Sequence, residues 1–349
     1  MSAETSVIIL NWNGARLLPE CLSALARQTY RNFELLLVDN GSIDGSAALL
    51  ADLERSVQPS WLGAPLPRLA RVIRNDQNVG FAEGNNVAIR LSDSTYIAAL
   101  NNDAIAEPQW LAELVASARQ APPQVGMVAS TMLFDRRPDF VASAGIVIQR
   151  DGVAIDRAMG MRAADLEKLG VRAVFGPSAG AALYKSAMLR DVGLFDGRFF
   201  SYLEDADLAW RARSKGWRAL HNPCARVLHE YSATGGQNSP FKRSLVSRNR
   251  VWLLYKNMPE VLIRRYWRAI VRYDLLAVSR SLLDGDRYLL KGRLQGLRGL
   301  SRLTEDRRKI ITSARVHPDE MASMLAPPLT PRQTLRYRHK LARLLSPDL

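Results

Sequence analysis

The chain has 349 residues, of which 47% are hydrophobic and 23% charged, so it is long enough for a large core or two domains. No stretch approaches the ~20 consecutive apolar residues of a membrane-spanning helix, and no internal repeat or long low-complexity tract is present. Residues 242–349 hold 24 Lys and Arg against 9 Asp and Glu, a net charge of +15, whereas residues 1–241 carry −1. The sequence therefore predicts a neutral domain followed by a basic region that favours an anionic partner, such as nucleic acid, phosphate-bearing lipid or a membrane surface.

The cysteines and the first residues bear on the cellular compartment. Cys21 and Cys224 are the two cysteines, and they lie far apart in the sequence. The short apolar run near residue 8 is not preceded by the basic residues of a secretory signal. We therefore expect a reduced, cytoplasmic protein.

Short apolar strands alternate with helices over the first 120 residues. Runs rich in β-branched and aliphatic residues predict strands over 6–12, 33–38, 70–75 and 96–104. Apolar side chains at helical spacing predict helices over 17–25, 46–53, 88–91 and 110–118, and NVGFAEGNN before the third helix is predicted as a loop. This alternation predicts an α/β fold with a Rossmann-like, mostly parallel sheet and helices on both faces.

Polar side chains follow the predicted strands where each strand ends. They are Asn11 and Asn13, Asp39 with the adjacent Asn40, the residues from Asn75 to Asn86, which include Gly80 and Asn85, and Asn101 to Asp103. One such cluster would indicate only a turn. In parallel sheets, however, ligands bind beyond the carboxyl ends of the strands, so four clusters at one edge favour a ligand cleft.

Two of these aspartates suit a nucleotide and a metal ion. Asp39 could accept a hydrogen bond from a base N–H or a ribose hydroxyl, or it could cap the following loop. Asp103 is a hard oxygen ligand suited to Mg²⁺ or Mn²⁺ on phosphates, although an Asx turn would also place an aspartate there. The nearby glycines allow close approach of a ligand, but they form neither a dinucleotide fingerprint nor a phosphate-binding loop of the Walker type.

Further candidates occur in the second half. After predicted β-structure over 125–150 and a charged, loop-like segment, Gly176 and Gly180 flank small residues that could wrap a substrate or form a tight turn. Glu204 and Asp205 stand at the head of a predicted helix, either as capping residues or with one of them as a general base. His229 follows a short strand and could bind a metal, contact phosphate or be structural.

Six segments resemble a known family when taken in order. SVIILNWNG, VDNGSIDGS, NVGFAEGNN, LNNDA, GPSAGAALYK and FFSYLEDADLAWRAR are similar to the motifs of the inverting family 2 glycosyltransferases with the GT-A fold. The resemblance covers residues 5–257 and is strongest to rhamnosyltransferase-like members that build bacterial cell-surface polysaccharides. It implies transfer of a sugar, with rhamnose from deoxythymidine-diphosphate rhamnose favoured, to a hydroxyl of a lipid-linked or cell-surface glycan.

The resemblance also implies roles for individual residues. Asp39 would read the nucleotide base, Asp205 would be the catalytic base, and Asp103 with His229 would bind the divalent cation, Mg²⁺ or Mn²⁺. Asn101 stands where the metal-binding motif often has its first aspartate, which implies a weak, substrate-dependent metal site. The remaining residues would contact the donor (Asn11, Asn13, Asn40, Asn75, Gly80, Asn85, Asn102) or support the acceptor (Glu204, Gly176, Gly180).

The second predicted unit, residues 258–349, is basic and helical, after a glycosyltransferase domain over 1–257. Its segment IRRYWRAIVRYDLLAVSRSLL mixes arginines with aromatic and aliphatic residues. Such helices could lie on the inner face of the membrane, pack on the first domain, form a homodimer contact or present a solvated face. Residues 325–333 predict a hinge before a helix over 335–345.

Two alternatives stay open beside the enzyme. One is a non-catalytic protein that binds nucleotide-sugars or carbohydrates on the same fold. The other is a nucleic-acid binder that uses the basic region, although no DNA- or RNA-reading motif accompanies it, so a nucleic-acid partner is not expected.

Overall fold

The computed structural model describes residues 3–56, 58–66, 69–230 and 239–345. Its first part contains β1 (Thr5–Asn11), α1 (Leu18–Ala26), β2 (Phe33–Asn40), α2 (Ser46–Arg55), β3 (Leu69–Asn75), α3 (Gly80–Ile89), β4 (Tyr96–Asn101), β5 (Ala104–Ala106) and α4 (Trp110–Gln120). The middle part contains β6 (Val125–Phe134), β7 (Arg137–Ser143), β8 (Ile146–Ile148), β9 (Ala154–Asp156), α5 (Ala163–Glu167), β10 (Arg172–Val174), β11 (Ala181–Lys185), α6 (Ser186–Val192), α7 (Glu204–Ser214) and β12 (Arg218–His229). The last part contains α8 (Pro240–Asn257), α9 (Glu260–Leu283), α10 (Arg287–Arg298), α11 (Thr304–Thr312), α12 (Pro318–Met324) and α13 (Pro331–Leu345).

The central sheet has the strand order β10-β12-β6-β11-β4-β1-β2-β3, with β5 paired to β12 and β7 to β6. The four strands from β3 to β4 are mutually parallel, and β12 is parallel to β6. Strand β11 runs antiparallel between β4 and β6, and it brings the segment before Ala181 to the carboxyl end of β4. The predicted α/β class with a mostly parallel sheet is confirmed.

Each buried strand supplies two faces of the core because successive side chains point to opposite sides of a sheet. In β1, Val7 and Ile9 pack in one cluster with Leu22 of α1 and Leu114 of α4. Ile8, between them, packs in the other cluster with helices α3 and α7. Helices therefore cover both faces of the sheet, as the continuous apolar runs predict.

The structure corrects three local predictions. NVGFAEGNN is not a loop throughout, because α3 begins at Gly80, where the Oδ1 atom of Asn78 accepts a hydrogen bond from the Gly80 N–H at 2.8 Å. The strand predicted over 96–104 is interrupted by a turn at Asn102 and Asp103, which separates β4 from β5. The charged segment before residue 175 contains β9, α5 and β10 rather than a plain loop.

The basic C-terminal helices pack on the rest of the molecule. Helix α10 lies close against α8 because Gly292 lacks a side chain: a Cβ atom there would stand 2.3 Å from the carbonyl oxygen of Ser244. The segment predicted as a hinge is tied to β8, where the N–H of Ala326 donates to the Ile148 carbonyl at 2.9 Å. Helix α13 then extends from Pro331, earlier than predicted, to Leu345.

Two further observations concern the cysteines and the length of the helices. Cys21, which is buried, and Cys224, which is exposed, are both free thiols. Among the residues that the structure describes, none of the helices combines the length and the hydropathy that crossing a bilayer requires.

Candidate active site

A cavity of about 450 Å³ lies beside the carboxyl end of β4 and the N-terminus of α7. Several predicted site residues line it, from different parts of the chain: Asn101, Asp103, Gly180, Glu204, Asp205 and His229. Strand β11 brings two of these segments together, since the Asn101 N–H donates to the carbonyl of Gly180 at 2.8 Å. Residues from β4, β11, α7 and β12 therefore converge on one space.

The turn before Asp205 is held in an unusual backbone conformation. Phe200, Tyr202 and Leu203 all have positive φ angles, of 65°, 71° and 67°, which side-chain-bearing residues rarely adopt. The fully buried Asn249 of α8 compensates, because its Nδ2 atom lies 3.0, 2.9 and 2.7 Å from the carbonyl oxygens of Phe199, Ser201 and Tyr202. Strain of this kind persists only where the surrounding structure imposes it.

Asp205 has the properties of a carboxylate that can exchange a proton near neutral pH. Its Oδ2 atom accepts a hydrogen bond from the Ala179 N–H at 3.2 Å, and Oδ1 accepts one from the Ala206 N–H at 2.7 Å. Burial raises the pKa of Asp205 to about 6, although these two backbone donors favour the ionised form. A general base is most effective when its pKa lies close to the working pH.

Glu204, next to Asp205, is buried and faces the same cavity. Burial, together with the charge of Asp205, raises the pKa of Glu204 well above its usual range, which favours its protonated form. Within the part of the chain that the structure describes, its Oε2 atom has no hydrogen-bond partner. A neutral carboxyl group of this kind can donate a hydrogen bond to a ligand.

Asp103 and His229 lie together at the other side of the cavity. Oδ1 of Asp103 is 3.2 Å from Nε2 of His229, and both side chains are at most 10% exposed. The pairing of β5 with β12 places them, because the N–H of Glu230 donates to the Asp103 carbonyl at 3.0 Å.

This pair fits a divalent cation only in part. A carboxylate and an imidazole are both metal ligands, and they converge on one point. Within residues 3–230 and 239–345, apart from the few left undescribed there, no group of three or more His, Cys, Asp and Glu could hold a metal. Asp103 and His229 would supply two ligands to such an ion.

Asp39 is joined to this region by side-chain hydrogen bonds. The Nδ2 atom of Asn11 donates to Asp39 Oδ1 at 3.2 Å, and Nδ2 of Asn102 donates to Asn11 Oδ1 at 2.9 Å. Asn102 precedes Asp103 in the chain, so the network places Asp39 on the same edge of the sheet as the cavity. Asp39 itself does not line the cavity.

Asn13 connects two loops beside this network. Its N–H donates to the Oγ atom of Ser42 at 2.9 Å, and its Oδ1 atom accepts a hydrogen bond from the Ile43 N–H at 2.8 Å. The side chain is exposed, and a φ angle of 50° turns the chain sharply after β1.

Four other residues that were predicted to contact the sugar donor take part in hydrogen bonds within the protein and do not line the cavity. Nδ2 of Asn75 donates to Oδ1 of Asn40 at 3.0 Å, and Nδ2 of Asn40 lies 3.2 Å from the Gly80 carbonyl. Nδ2 of Asn85 donates to the Phe81 carbonyl one turn earlier in α3, at 2.9 Å. These contacts fix the start of α3.

The three predicted glycines differ in what they approach. A Cβ atom on Gly80 would lie 2.5 Å from the Phe200 carbonyl oxygen, so this glycine admits the strained turn rather than a ligand. A Cβ atom on Gly176 would lie 2.3 Å from Cβ of Ala209, which places Gly176 behind α7 and outside the cavity lining. Gly180 does line the cavity.

A buried ionic cluster below Asp205 was not predicted. The carboxylate of Asp207, which is fully buried, accepts hydrogen bonds from Lys256 Nζ at 2.9 Å, Arg211 Nε at 2.8 Å and Asn257 Nδ2 at 2.8 Å. Burial alone would raise the pKa of Asp207, but Lys256 and Arg211 hold it below its usual value. The available signal was a Lys-Asn pair that interrupts the apolar pattern at the end of VWLLYKN.

Comparisons with known proteins identify a family that part of the chain matches. The family description that matches is Glycosyl transferase family 2, over residues 6–166. An uncharacterized protein, y4gI, of Sinorhizobium fredii is 30% identical over 232 residues, which are 64% of this chain and 24% of that protein. The chain therefore spans about a quarter of the length of this relative.

Two further proteins are similar over more of their own length. The N-acetylglucosaminyl-diphospho-decaprenol L-rhamnosyltransferase of Mycobacterium tuberculosis is 24% identical over 301 residues, covering 79% of this chain and 90% of that enzyme. The solved mannosyltransferase PcManGT from Pyrobaculum calidifontis, in complex with GDP-Man and Mn²⁺, has a TM-score of 0.53 at 16% identity. It covers 90% of this chain and 86% of its own, which shows the shared GT-A fold.

The buried cluster leads to a prediction about stability. Asp207→Asn leaves Lys256 and Arg211 with less counter-charge in a buried site, so we expect a loss of about 3 kcal/mol in the free energy of unfolding at pH 7. Urea unfolding monitored by tryptophan fluorescence measures it. Because the pKa of Asp207 is lowered in the folded protein, its ionised carboxylate stabilises the fold above the pKa of the unfolded chain, and this stabilisation is lost as the pH falls through the folded pKa. The free energies of unfolding of the wild type and Asp207→Asn should therefore converge at low pH.

The exposed Glu260–Arg264 pair provides the matched control. Glu260→Gln should leave the unfolding curve close to that of the wild type, since both side chains are in solvent. An Asp207→Asn variant as stable as Glu260→Gln would contradict the assigned role of the cluster.

Proposed function

We propose that this chain, of which residues 6–166 match Glycosyl transferase family 2, is an inverting, metal-dependent enzyme that moves a sugar from a nucleotide-diphosphate donor to a hydroxyl of a glycan acceptor. One observation carries the proposal: Asp103, His229 and Asp205 line a single cavity at the carboxyl edge of the sheet. We assign catalysis to residues 1–257 and an accessory role to the basic region 258–349.

The donor would occupy the side of the cavity near β4. Asp103 and His229 would hold Mg²⁺ or Mn²⁺, which when bound neutralises the charge of the departing diphosphate. Asp39 would accept a hydrogen bond from the nucleoside, while Asn11 and Asn102 orient the Asp39 carboxylate. We propose that the other predicted donor-site residues support the loops on this side of the cavity, in keeping with their hydrogen bonds within the protein. They are Asn13, Asn40, Asn75, Gly80 and Asn85.

Asp205 would remove the proton from the attacking hydroxyl. The Ala179 N–H fixes the orientation of the carboxylate, and the raised pKa makes it a competent proton acceptor near neutral pH. Glu204, whose burial favours the neutral form, would donate a hydrogen bond to the acceptor. Gly180 would admit the acceptor, and Gly176 would support α7 from behind. One displacement from the face opposite the diphosphate inverts the anomeric centre.

The donor and acceptor classes are supported by similarity. The mycobacterial relative is named as an L-rhamnosyltransferase that acts on a diphospho-decaprenol-linked sugar, and it aligns over 79% of this chain. We propose rhamnose from deoxythymidine-diphosphate rhamnose as the sugar, and a lipid-linked or cell-surface glycan as the acceptor.

A solvent-facing side of α9 supports a position at the inner face of the cytoplasmic membrane. Trp267, Val271 and Leu275 are 52%, 44% and 63% exposed at helical spacing, and the exposed Arg264 and Arg268 lie beside them. Aromatic and aliphatic side chains flanked by arginines suit the interface of an anionic bilayer. A peripheral enzyme there would meet lipid-linked acceptors directly.

The first functional prediction concerns the base. Asp205→Asn should lower kcat by about a thousandfold, because the hydroxyl then has no proton acceptor, while nucleotide binding persists. In the wild type, kcat should fall below about pH 6 as Asp205 becomes protonated. Nucleotide-sugar consumption and thermal shift with nucleotide measure the two quantities.

Asp165→Asn on α5, a residue that does not line the cavity, serves as the control and should match the wild type. If Asp205→Asn turned over normally, the residue would not be the base. If no nucleotide-sugar were consumed by any form despite binding, the non-catalytic alternative would replace the enzyme.

The second functional prediction concerns the cation. Asp103→Ala and His229→Ala should each reduce activity by at least about 100-fold and abolish the extra thermal stabilisation that Mn²⁺ adds to a bound nucleotide. The exposed Asp93→Ala should retain both. Full activity of the wild type in EDTA would contradict metal dependence.

The third functional prediction concerns the membrane. Flotation with vesicles of phosphatidylglycerol and phosphatidylcholine should capture the wild type, and the Trp267→Ala/Leu275→Ala variant should bind about tenfold more weakly because apolar area is lost. Leu169→Ala, which removes an exposed leucine of the first domain, is the control. If the double variant instead changed a dimer into a monomer in light scattering, the face would be a subunit contact.

A further inference from the structure

The catalytic cavity extends beyond Asp205 to a far end that no predicted site residue occupies. This far end is lined by Asp156 of β9, Tyr202 before α7, Lys242 of α8, and Tyr337 and Leu341 of α13. Two of its residues thus come from the last helix, outside the region 6–166 that matches the family description.

A chain of contacts orders the residues along the cavity. Asn101, next to the Asp103 side, binds Gly180, and the adjacent Ala179 binds Asp205. Besides burial, the charge of Asp156 contributes to raising the pKa of both Asp205 and Tyr337, so Asp156 lies near both. Asp205 therefore lines the same cavity as the Asp103 side and lies near Asp156 of the far end.

Helix α13 is held in place as a wall by contacts along its length. Tyr337 and Leu341 pack against a core cluster that includes Met159 and Leu344. The segment before the helix is fixed to β8 through Ala326, whose carbonyl also accepts a hydrogen bond from the Arg150 N–H at 2.9 Å. The wall is thus part of the folded structure rather than a loose extension.

Resting on the proposed function, we propose that the far end binds the acceptor sugar and that Tyr337 and Leu341 of α13 form one wall of this acceptor site. The donor is assigned to the Asp103 side, so the hydroxyl that loses its proton must approach Asp205 from the opposite side. The far end is the part of the cavity that offers this approach.

The chemistry of the far end suits a sugar that carries phosphate. The rings of Tyr202 and Tyr337 offer flat apolar surfaces for the C–H face of a pyranose, and Asp156 can accept hydrogen bonds from its hydroxyls. Lys242, whose Nζ atom lies 5.2 Å from the centre of the Tyr202 ring, adds positive charge that attracts a phosphate on the anomeric oxygen. The acceptor class is therefore a glycosyl phosphate or diphosphate.

The test compares acceptor use with donor use. The probe acceptor is octyl-diphospho-N-acetylglucosamine, and the donor is deoxythymidine-diphosphate rhamnose, or whichever nucleotide-sugar the full chain hydrolyses. Tyr337→Ala should raise the KM of the probe about tenfold, and Leu341→Ala should raise it several-fold. In both variants the hydrolysis of the donor by water and the thermal stabilisation of the protein by nucleotide should be unchanged. Tyr337→Phe should behave as the wild type, because the ring face is retained.

Leu335→Ala is the matched control, since Leu335 is on the same helix and 55% exposed. Wild-type KM values for the probe in Tyr337→Ala and Leu341→Ala would overturn the proposal. Equal losses of nucleotide binding and probe use would also overturn it, because α13 would then shape the whole cavity. If the wild type neither binds nor consumes any nucleotide-sugar, the proposed function itself fails, and the nucleotide readout identifies that case.

Discussion

The contact between Asp207 and Lys256 joins the two parts of the molecule on which the site depends. It is a buried ion pair, 2.9 Å long, between the first turn of α7 and the last turn of α8. Two buried charges are costly unless they are paired and fully hydrogen-bonded, and Arg211 and Asn257 complete the bonding of Asp207. The start of α7, and with it Asp205, is therefore fixed by α8 rather than by the sheet alone.

The same helix also imposes the backbone conformation that precedes Asp205. Left-handed conformations at Phe200, Tyr202 and Leu203 cost free energy of order 1 kcal/mol or more each, which the hydrogen bonds of Asn249 offset. Gly80 leaves room for the Phe200 carbonyl, so α3 contributes to the same turn. A strained turn held from two sides limits the positions that the carboxylate of Asp205 can take, which suits proton transfer at a defined atom.

Much of this architecture follows from the sequence, because strands β1 to β4 and helices α1, α2 and α4 carry strong local periodicity. That the Asp39 and Asp103 segments meet follows from the rule that parallel strands end at one edge. Asp205, at the head of α7, was assigned to the site by the resemblance. The beginning of α3 was not predicted, because its glycines and asparagines also suit a loop. The hydrogen bond from the Gly80 N–H to the Asn78 side chain is seen only in the structure. Asn249 and Tyr337 were not predicted because their partners lie far away in the sequence, where no local pattern reports them.

The position of Tyr337 in the last helix has a consequence for biosynthesis. During translation the carboxylates at the head of α7 leave the ribosome well before α13 does, so the cleft is at first open on one side. Until α13 docks, the cavity lacks the wall to which Tyr337 and Leu341 contribute. The acceptor site that we propose is therefore complete only once α13 has packed against the domain.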